Sequence, residues 1–316
     1  MNRNSEVIFM LCSHILQSAD YKPYEPSEWS KLADVLMQAE LQPYDLAEMS
    51  DTELNNLRLS KSEIDRIHHL LNRGGSLAFE MGKYESMGIS IVTRADTNYP
   101  KKIKARLGKS CPPLFYYAGN IKLADQKCVG FAGSRNIDET DCKFTEKIVS
   151  KINTLEYAVV SGGAKGIDTI SADCSIQNGS QAVVFLADSM VKQIRSKQTI
   201  SAIQNNQLLL LSAVKPDMGF TAATAMMRNK YIYTQSEGTV IVRSDYKKGG
   251  TWSGATDCIR HEIAPVFCWN HPEYKGNQEL IKLGAIPIDE NWDGNISVVK
   301  KPKEDEFVQL SLFENT

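Results

Sequence analysis

Apolar positions follow two different rhythms along the chain, and the change falls near residue 88. Before it, they recur at helical spacing: Leu32, Val35, Leu36 and Ala39 form one stripe, and Ile64, Ile67 and Leu71 another. Ser50-x-x-Glu53 and Ser60-x-x-Glu63 read as capping boxes, and Gly74-Gly75 as the stop of the second of those helices. The pattern predicts a small helical domain over residues 1–88. After it, short, mostly apolar runs alternate with helical stretches, at residues 89–93, 129–132, 157–160, 181–186, 208–212, 239–242 and 265–269. Such runs suit parallel strands buried on both faces. The expected class is α/β: a doubly wound, mostly parallel sheet of six or more strands over residues 89–290, then a flexible tail over 291–316.

Residues 128–168 organise the rest. They read as strand, tight turn, helix, strand, glycine-rich turn and the start of a second helix, with Phe144, Ile148, Val149 and Ile152 marking the first helix. Gly133-Ser134-Arg135 follows the first strand, and Ser161-Gly162-Gly163-Ala164-Lys165-Gly166 follows the second. Glycine permits a sharp turn and close approach of a ligand to the backbone, and the following helix offers unpaired N–H groups. Arg135 and Lys165 turn each loop into a phosphate clamp. Asp168, in the first turn of the second helix, reads as a residue that shapes the loop. Two later stretches should reach the same sheet edge: Arg228-Asn229-Lys230 on a helix, and Lys247-Lys248-Gly249-Gly250-Thr251, another glycine-rich turn after a strand. The expected phosphate-binding set is Gly133, Ser134, Arg135, Gly162, Gly163, Lys165, Gly166, Arg228, Asn229, Lys230, Lys248, Gly249, Gly250 and Thr251. Positive charge gathered from several strand ends fits an extended polyanion better than one small neutral ligand.

Composition narrows the field. With 36 basic against 38 acidic residues there is no global basic signature, so a nucleic-acid site must be a local patch. One such run is Lys101, Lys102, Lys104, Arg106 and Lys109, with no acidic residue between Thr97 and Ala124. It reads either as a solvated basic face or as an approach surface for a phosphate backbone, with Tyr99, Tyr116 or Tyr117 available for stacking. Pro112-Pro113 reads as an extended stop before the main sheet. The seven cysteines show no CxxC pair, so neither a zinc site nor a disulfide framework is expected, and reduced thiols suit the cytoplasm. His68 and His69 have no third ligand in view, so no metal is expected. The first 16 residues are too short and too soon broken by polar residues for a signal or membrane span. No Ser/His/Asp arrangement or carboxylate pair stands out, so no catalytic residue and no cofactor are expected.

The order of motifs is more specific than any one of them. Asp96-x-x-Tyr99-Pro100, Pro112-Pro113-Leu114, Gly119-Asn120, Gly133-Ser134-Arg135-Asn136, Ser161-Gly162-x-Ala164-x-Gly166-Ile167-Asp168, Arg228-Asn229 and Gly276-Asn277-x-x-Leu280-Ile281-x-x-Gly284-Ala285 together resemble the DprA/Smf DNA-processing family. The resemblance implies an extended Rossmann-like domain that binds single-stranded DNA and helps load a RecA-type recombinase, as a homodimer and without catalysis. In that family the two glycine turns line a basic phosphate pocket, which carries over to Ser134, Arg135, Gly162, Gly163, Lys165 and Gly166, with Arg228, Asn229 and Lys230 beside them.

This chain departs from the family pattern in three places. Ala172 stands where the family usually has His, Ala187-Asp188-Ser189-Met190 replaces a Gly-x-Asp and Tyr-Pro element, and residues 249–255 replace a Ser-Gly-Ser-Leu-x-Thr-Ala stretch. A specialised role with phage or plasmid DNA therefore stays open. The carboxyl-terminal winged helix of many relatives is not expected after Asp289. The alternative is a nucleotide-binding sensor or a nucleotide phosphoribohydrolase-like enzyme. Gly249-Gly250-Thr251 resembles the Gly-Gly-x-Gly-Thr turn of those hydrolases, but the accompanying Glu is missing and only Asp257 is near.

Residues 300–306 read as a charged linker, and Gln309-Leu310-Ser311-Leu312-Phe313 after them resembles the peptide by which bacterial proteins dock on the replicative sliding clamp. In that reading Leu312 and Phe313 fill an apolar pocket while Gln309 anchors the other end. Alternatively, Leu310, Leu312 and Phe313 pack back onto this chain, or the sheet is an inert adaptor for the tail.

Overall fold

The computed structural model describes residues 1–16 and 20–297. Five helices come first: α1 (Arg3–Cys12), α2 (Pro26–Gln38), α3 (Asp51–Asn56), α4 (Lys61–Asn72) and α5 (Gly74–Glu85). Ser50 and Ser60 cap α3 and α4, each accepting the N–H of the Glu three residues on. Helix α4 ends at Asn72 with Arg73 as its C-cap, directly before Gly74-Gly75 as expected, and α5 starts at once at Gly74. The Arg73 guanidinium explains the abrupt corner, because it donates to the carbonyls of Met10, Ser13 and Leu16 and so ties the junction to the end of α1.

The remaining described residues build nine strands: β1 (Ile89–Thr93), β2 (Leu114–Gly119), β3 (Cys128–Ala132), β4 (Ala158–Ser161), β5 (Ala182–Phe185), β6 (Leu208–Ser212), β7 (Gly238–Ile241), β8 (Val266–Trp269) and β9 (Ile286–Ile288). Between them lie α6 (Lys101–Leu107), α7 (Glu139–Thr154), α8 (Ile167–Gln177), α9 (Met190–Gln193), α10 (Lys197–Gln204), α11 (Ala222–Gln235), α12 (Gly249–Arg260) and α13 (Lys275–Lys282). The strand order is β1-β2-β6-β5-β4-β3-β7-β8-β9, antiparallel only at β1–β2 and β2–β6. The doubly wound, mostly parallel sheet expected from the apolar runs is therefore present, with a two-stranded antiparallel extension.

Successive residues of each strand serve opposite layers, as a period of two requires. Val159 joins Phe144, Ile148 and Ile152 of α7 on one face, while Val160 joins Tyr231 and Ile232 of α11 on the other. Helices α7, α8 and α10 cover the first face; α6, α11, α12 and α13 cover the second. The amino-terminal helices share a core with Ile89, Leu114, Tyr116, Ala118, Leu208 and Leu210 of the sheet. Ser13 and Tyr116 seal that contact with a buried hydroxyl pair 2.9 Å apart.

Pro112-Pro113 does not stand before the sheet. It runs directly into β2, which joins β1 to the parallel block. The basic run on and just after α6 is tied to other parts of the chain. Lys102 pairs with Glu237 at 2.9 Å, Lys109 pairs with Asp34, Lys101 with Asp125, Lys104 donates to the Arg94 carbonyl, and Arg106 to those of Thr234 and Ser236. Tyr99 and Tyr116 are each 1% exposed. Lys101, Lys104 and Lys109 nevertheless stay exposed, so the segment is a solvated basic face whose charges are partly paired by distant stretches of the chain.

Candidate functional site

In a doubly wound sheet the ligand crevice lies beyond the carboxyl ends of the strands, where neighbouring connections diverge. Here that point lies between β3 and β7: the chain leaves β3 toward β4 through α7, and β7 pairs on the other side. The loops after β3, β4 and β7 meet there.

The two glycine turns interlock. The Ser134 carbonyl accepts the N–H of Ile167, and a Cβ on Gly166 would lie 2.4 Å from that oxygen. A Cβ on Gly133 would sit 2.5 Å from Cγ1 of Ile167. Gly163 and Gly166 have φ of +65° and +87°, in the region that glycine adopts without strain. Among the described residues the N–H groups of Gly163, Lys165 and Gly166 make no hydrogen bond. They open at the amino terminus of α8, where the helix dipole favours an anion.

Beneath this turn lies a buried ion pair. Arg228 of α11 is 5% exposed and donates through Nη1 to Oδ2 of Asp168 at 2.9 Å. The same Asp168 oxygen accepts the Ala164 N–H at 3.3 Å. Gly162 is obligatory above it, since a Cβ there would fall 0.8 Å from Arg228 Nη1. Arg228 thus supports the turn from below and does not reach out as a phosphate cation. Asp168 shapes the loop, as its position suggested, and the partner through which it does so is 60 residues away.

The other expected side chains divide into two groups. Arg135, Lys165 and Lys248 are exposed. Ser134, Asn229 and Thr251 are engaged within the protein: Ser134 closes its own turn with Asn136, Asn229 donates to the Gly250 carbonyl, and Thr251 Oγ1 donates to the Gly133 carbonyl at 3.1 Å. Their role is to fasten the start of α12 to α11 and to the turn after β3. Lys230 faces a small cleft between α11 and α12 with Met226, Tyr233, Ser253, Asp257 and Ile263. Burial pushes the Lys230 amine down and the Asp257 carboxyl up.

A raised carboxyl pKa means that folding favours the protonated form. Any destabilisation by Asp257 is absent below the ordinary carboxylate range and develops as pH rises through its raised value. Asp257→Asn should therefore raise the melting temperature at pH 7, with the gain shrinking toward pH 4; a gain that is larger at pH 4 would reverse the assignment.

Two residues at the site carried no motif. Phe220 is 54% exposed in the loop before α11, and the Arg135 guanidinium stacks over its ring at 5.1 Å from the centroid. The only local signal was position, between Gly219 and the helix-capping Thr221. Arg243, at the end of β7, is held between Asp138 at 3.0 Å and Asp141 at 2.9 Å, and Tyr274 donates to Asp141 as well. This network closes the amino terminus of α7, whose first turn also carries Glu139. Negative charge there turns a phosphate away from α7 and leaves α8 as the anion-facing helix.

Among the described residues no group of His, Cys, Asp and Glu side chains is arranged to hold a metal ion, and no helix is long and apolar enough to cross a membrane. The clamp-type stretch Gln309, Leu310, Ser311, Leu312 and Phe313 lies outside the described residues.

Comparison with known proteins bears on the same sheet. Residues 90–296 match the family described as DNA recombination-mediator protein A. The chain is 27% identical over 139 residues to the DNA processing protein DprA of Streptococcus pneumoniae, covering 44% of this chain and 49% of that protein. It is 24% identical over 233 residues to the DNA processing protein DprA of Bacillus subtilis, covering 72% and 75%. The match thus spans about half the length of the first relative and three quarters of the second. The X-ray structure of DprA from S. pneumoniae superposes with a TM-score of 0.64 at 19% identity, over 86% of this chain and 95% of that one. A structure reporting the single-stranded DNA binding mode of DNA processing protein A from Helicobacter pylori superposes at 0.53 and 23% identity, over 63% and 90%. The family match begins within β1, runs past β9 and takes in both glycine turns, Asp168 and Arg228: the chain belongs to the DNA recombination-mediator protein A family.

Proposed function

We propose that this chain is a single-stranded DNA-binding protein that holds the phosphate backbone over the interlocked turns after β3 and β4. The observation that carries the reading is the combination at one spot of free N–H groups on Gly163, Lys165 and Gly166, the exposed cations Arg135 and Lys165, and Phe220 under the Arg135 guanidinium. The N–H groups and cations suit phosphates, and the exposed ring suits a base. The single-stranded DNA binding mode of the H. pylori relative supports the ligand class. In the same reading the protein acts by binding, hands its strand to a RecA-type recombinase, works as a homodimer in the cytoplasm, and docks on the sliding clamp through residues 309–313.

Fluorescence anisotropy of a labelled single-stranded oligonucleotide across a salt series tests the proposal. Arg135→Ala/Lys165→Ala should weaken binding at least tenfold, by about 1.4 kcal/mol or more, and flatten the slope of log K against log salt by about one to two. Binding unchanged by the double substitution would remove the pocket from the reaction. No binding by wild type at low salt would favour a small nucleotide instead.

A further inference from the structure

One strand beyond the glycine turns, the loop after β7 and the start of α12 gather a second set of side chains. Trp252 meets the Tyr246 ring edge-on at 5.1 Å, and both residues are partly exposed. Two ammonium groups converge on the same ring, Lys247 Nζ at 5.2 Å and Lys275 Nζ at 5.0 Å from its centroid. Lys248 is exposed beside them at the start of α12. Among the described residues none of these three lysines forms an ion pair, although Asp245 is exposed in the same loop. Lys247 also sits at φ +56°, a left-handed conformation that costs a side-chain-bearing residue energy and is retained here in an exposed loop.

This cluster is continuous with the pocket. The Ser134 N–H bonds the Arg243 carbonyl at 2.9 Å, and Thr251 bonds Gly133, so the loop carrying Tyr246 begins and ends on the turn that carries Arg135. Neighbouring strands lie about 4.8 Å apart, so a polymer leaving the turn after β3 toward β8 reaches Tyr246 within a nucleotide or two.

We propose that Tyr246 and Trp252, with Lys247, Lys248 and Lys275, form a second nucleotide subsite that stacks a base of the same single strand and neutralises its flanking phosphates. The inference rests on the pocket reading above. Aromatic faces stack any base, and ammonium groups now resting on the Tyr246 ring can turn to phosphates when a base covers it. The ligand is a polynucleotide long enough to span both places, which distinguishes this subsite from one for a free nucleotide.

Oligonucleotides of about 8 and about 25 nucleotides, compared by anisotropy, read the subsite directly. Tyr246→Ala/Trp252→Ala should weaken both probes about fivefold or more, since either spans the two places, while Trp252→Phe retains most of the affinity. Emission lost on Trp252→Phe should be the emission that DNA quenches in wild type. Lys247→Ala/Lys275→Ala, which leaves the aromatic packing in place, should lower the salt slope for the longer probe by about two. Unchanged affinity and slope for the longer probe in both double variants, together with an unquenched Trp252, would overturn the subsite while Arg135→Ala/Lys165→Ala still abolished binding. If instead the pocket variant bound normally and the Tyr246 variants did not, the pocket reading would fail and this subsite would stand.

Discussion

Arg228→Ala should destabilise the protein by about 3–5 kcal/mol and remove single-stranded DNA binding with it, although Arg228 lies buried beneath the turn. Removing one partner of a buried pair leaves the other charge unpaired in a poorly hydrated site, and that residual charge carries most of the cost. Asp168 is only 7% exposed in the intact protein, and the Ala164 N–H would be its one remaining partner among the hydrogen bonds described above. The loop above it would lose its support. Arg228→Met/Asp168→Leu should be less destabilising than Arg228→Ala, because it removes both charges. Gly162→Ala should resemble the single variant, since its Cβ occupies the place of Nη1. Denaturant melts of the four proteins decide the matter. A double variant no more stable than Arg228→Ala would show that the buried charge is not the source of the loss.

Gly166→Ala should abolish binding to the same extent as Arg135→Ala/Lys165→Ala without removing any charge. Its Cβ would press on the Ser134 carbonyl at 2.4 Å and on Arg135 Cα at 2.9 Å, and φ of +87° is strained for alanine whatever the space. Backbone strain of this kind costs about 1–3 kcal/mol, and here the relief is to part the two turns. Gly82→Ala in α5, where the new Cβ meets nothing within 4 Å, serves as the control and should bind normally. Gly166→Ala protein that is folded and still binds at wild-type affinity would show that the docking of the turns is dispensable.

What could be read from the sequence follows a physical divide. The parallel strands announced themselves because burial on both faces demands an unbroken apolar run, as in Val183 to Phe185 and Leu208 to Leu211. Strand β2 was hidden because it follows directly on Pro112-Pro113, which reads as a breaker, although proline just ahead of a strand costs it no ladder hydrogen bond. The glycine turns were legible because only glycine fits where a second backbone passes at contact distance. The use of each cation was not. Lys102 and Lys165 look alike in sequence; one reaches Glu237 and the other faces solvent, and only the fold decides which. The same holds for Arg228, whose partner is contributed by a different helix.

The short strand β9 has a consequence for how the protein avoids its own kind. It is three residues long and carries Pro287 at its centre, which has no N–H to offer. At the opposite margin, β1 is packed by α1 and α5. An open sheet of nine strands would otherwise present two unsaturated borders, each able to recruit a strand from a neighbouring copy. The brevity of β9 and the missing N–H of Pro287 leave that border little to offer an incoming strand.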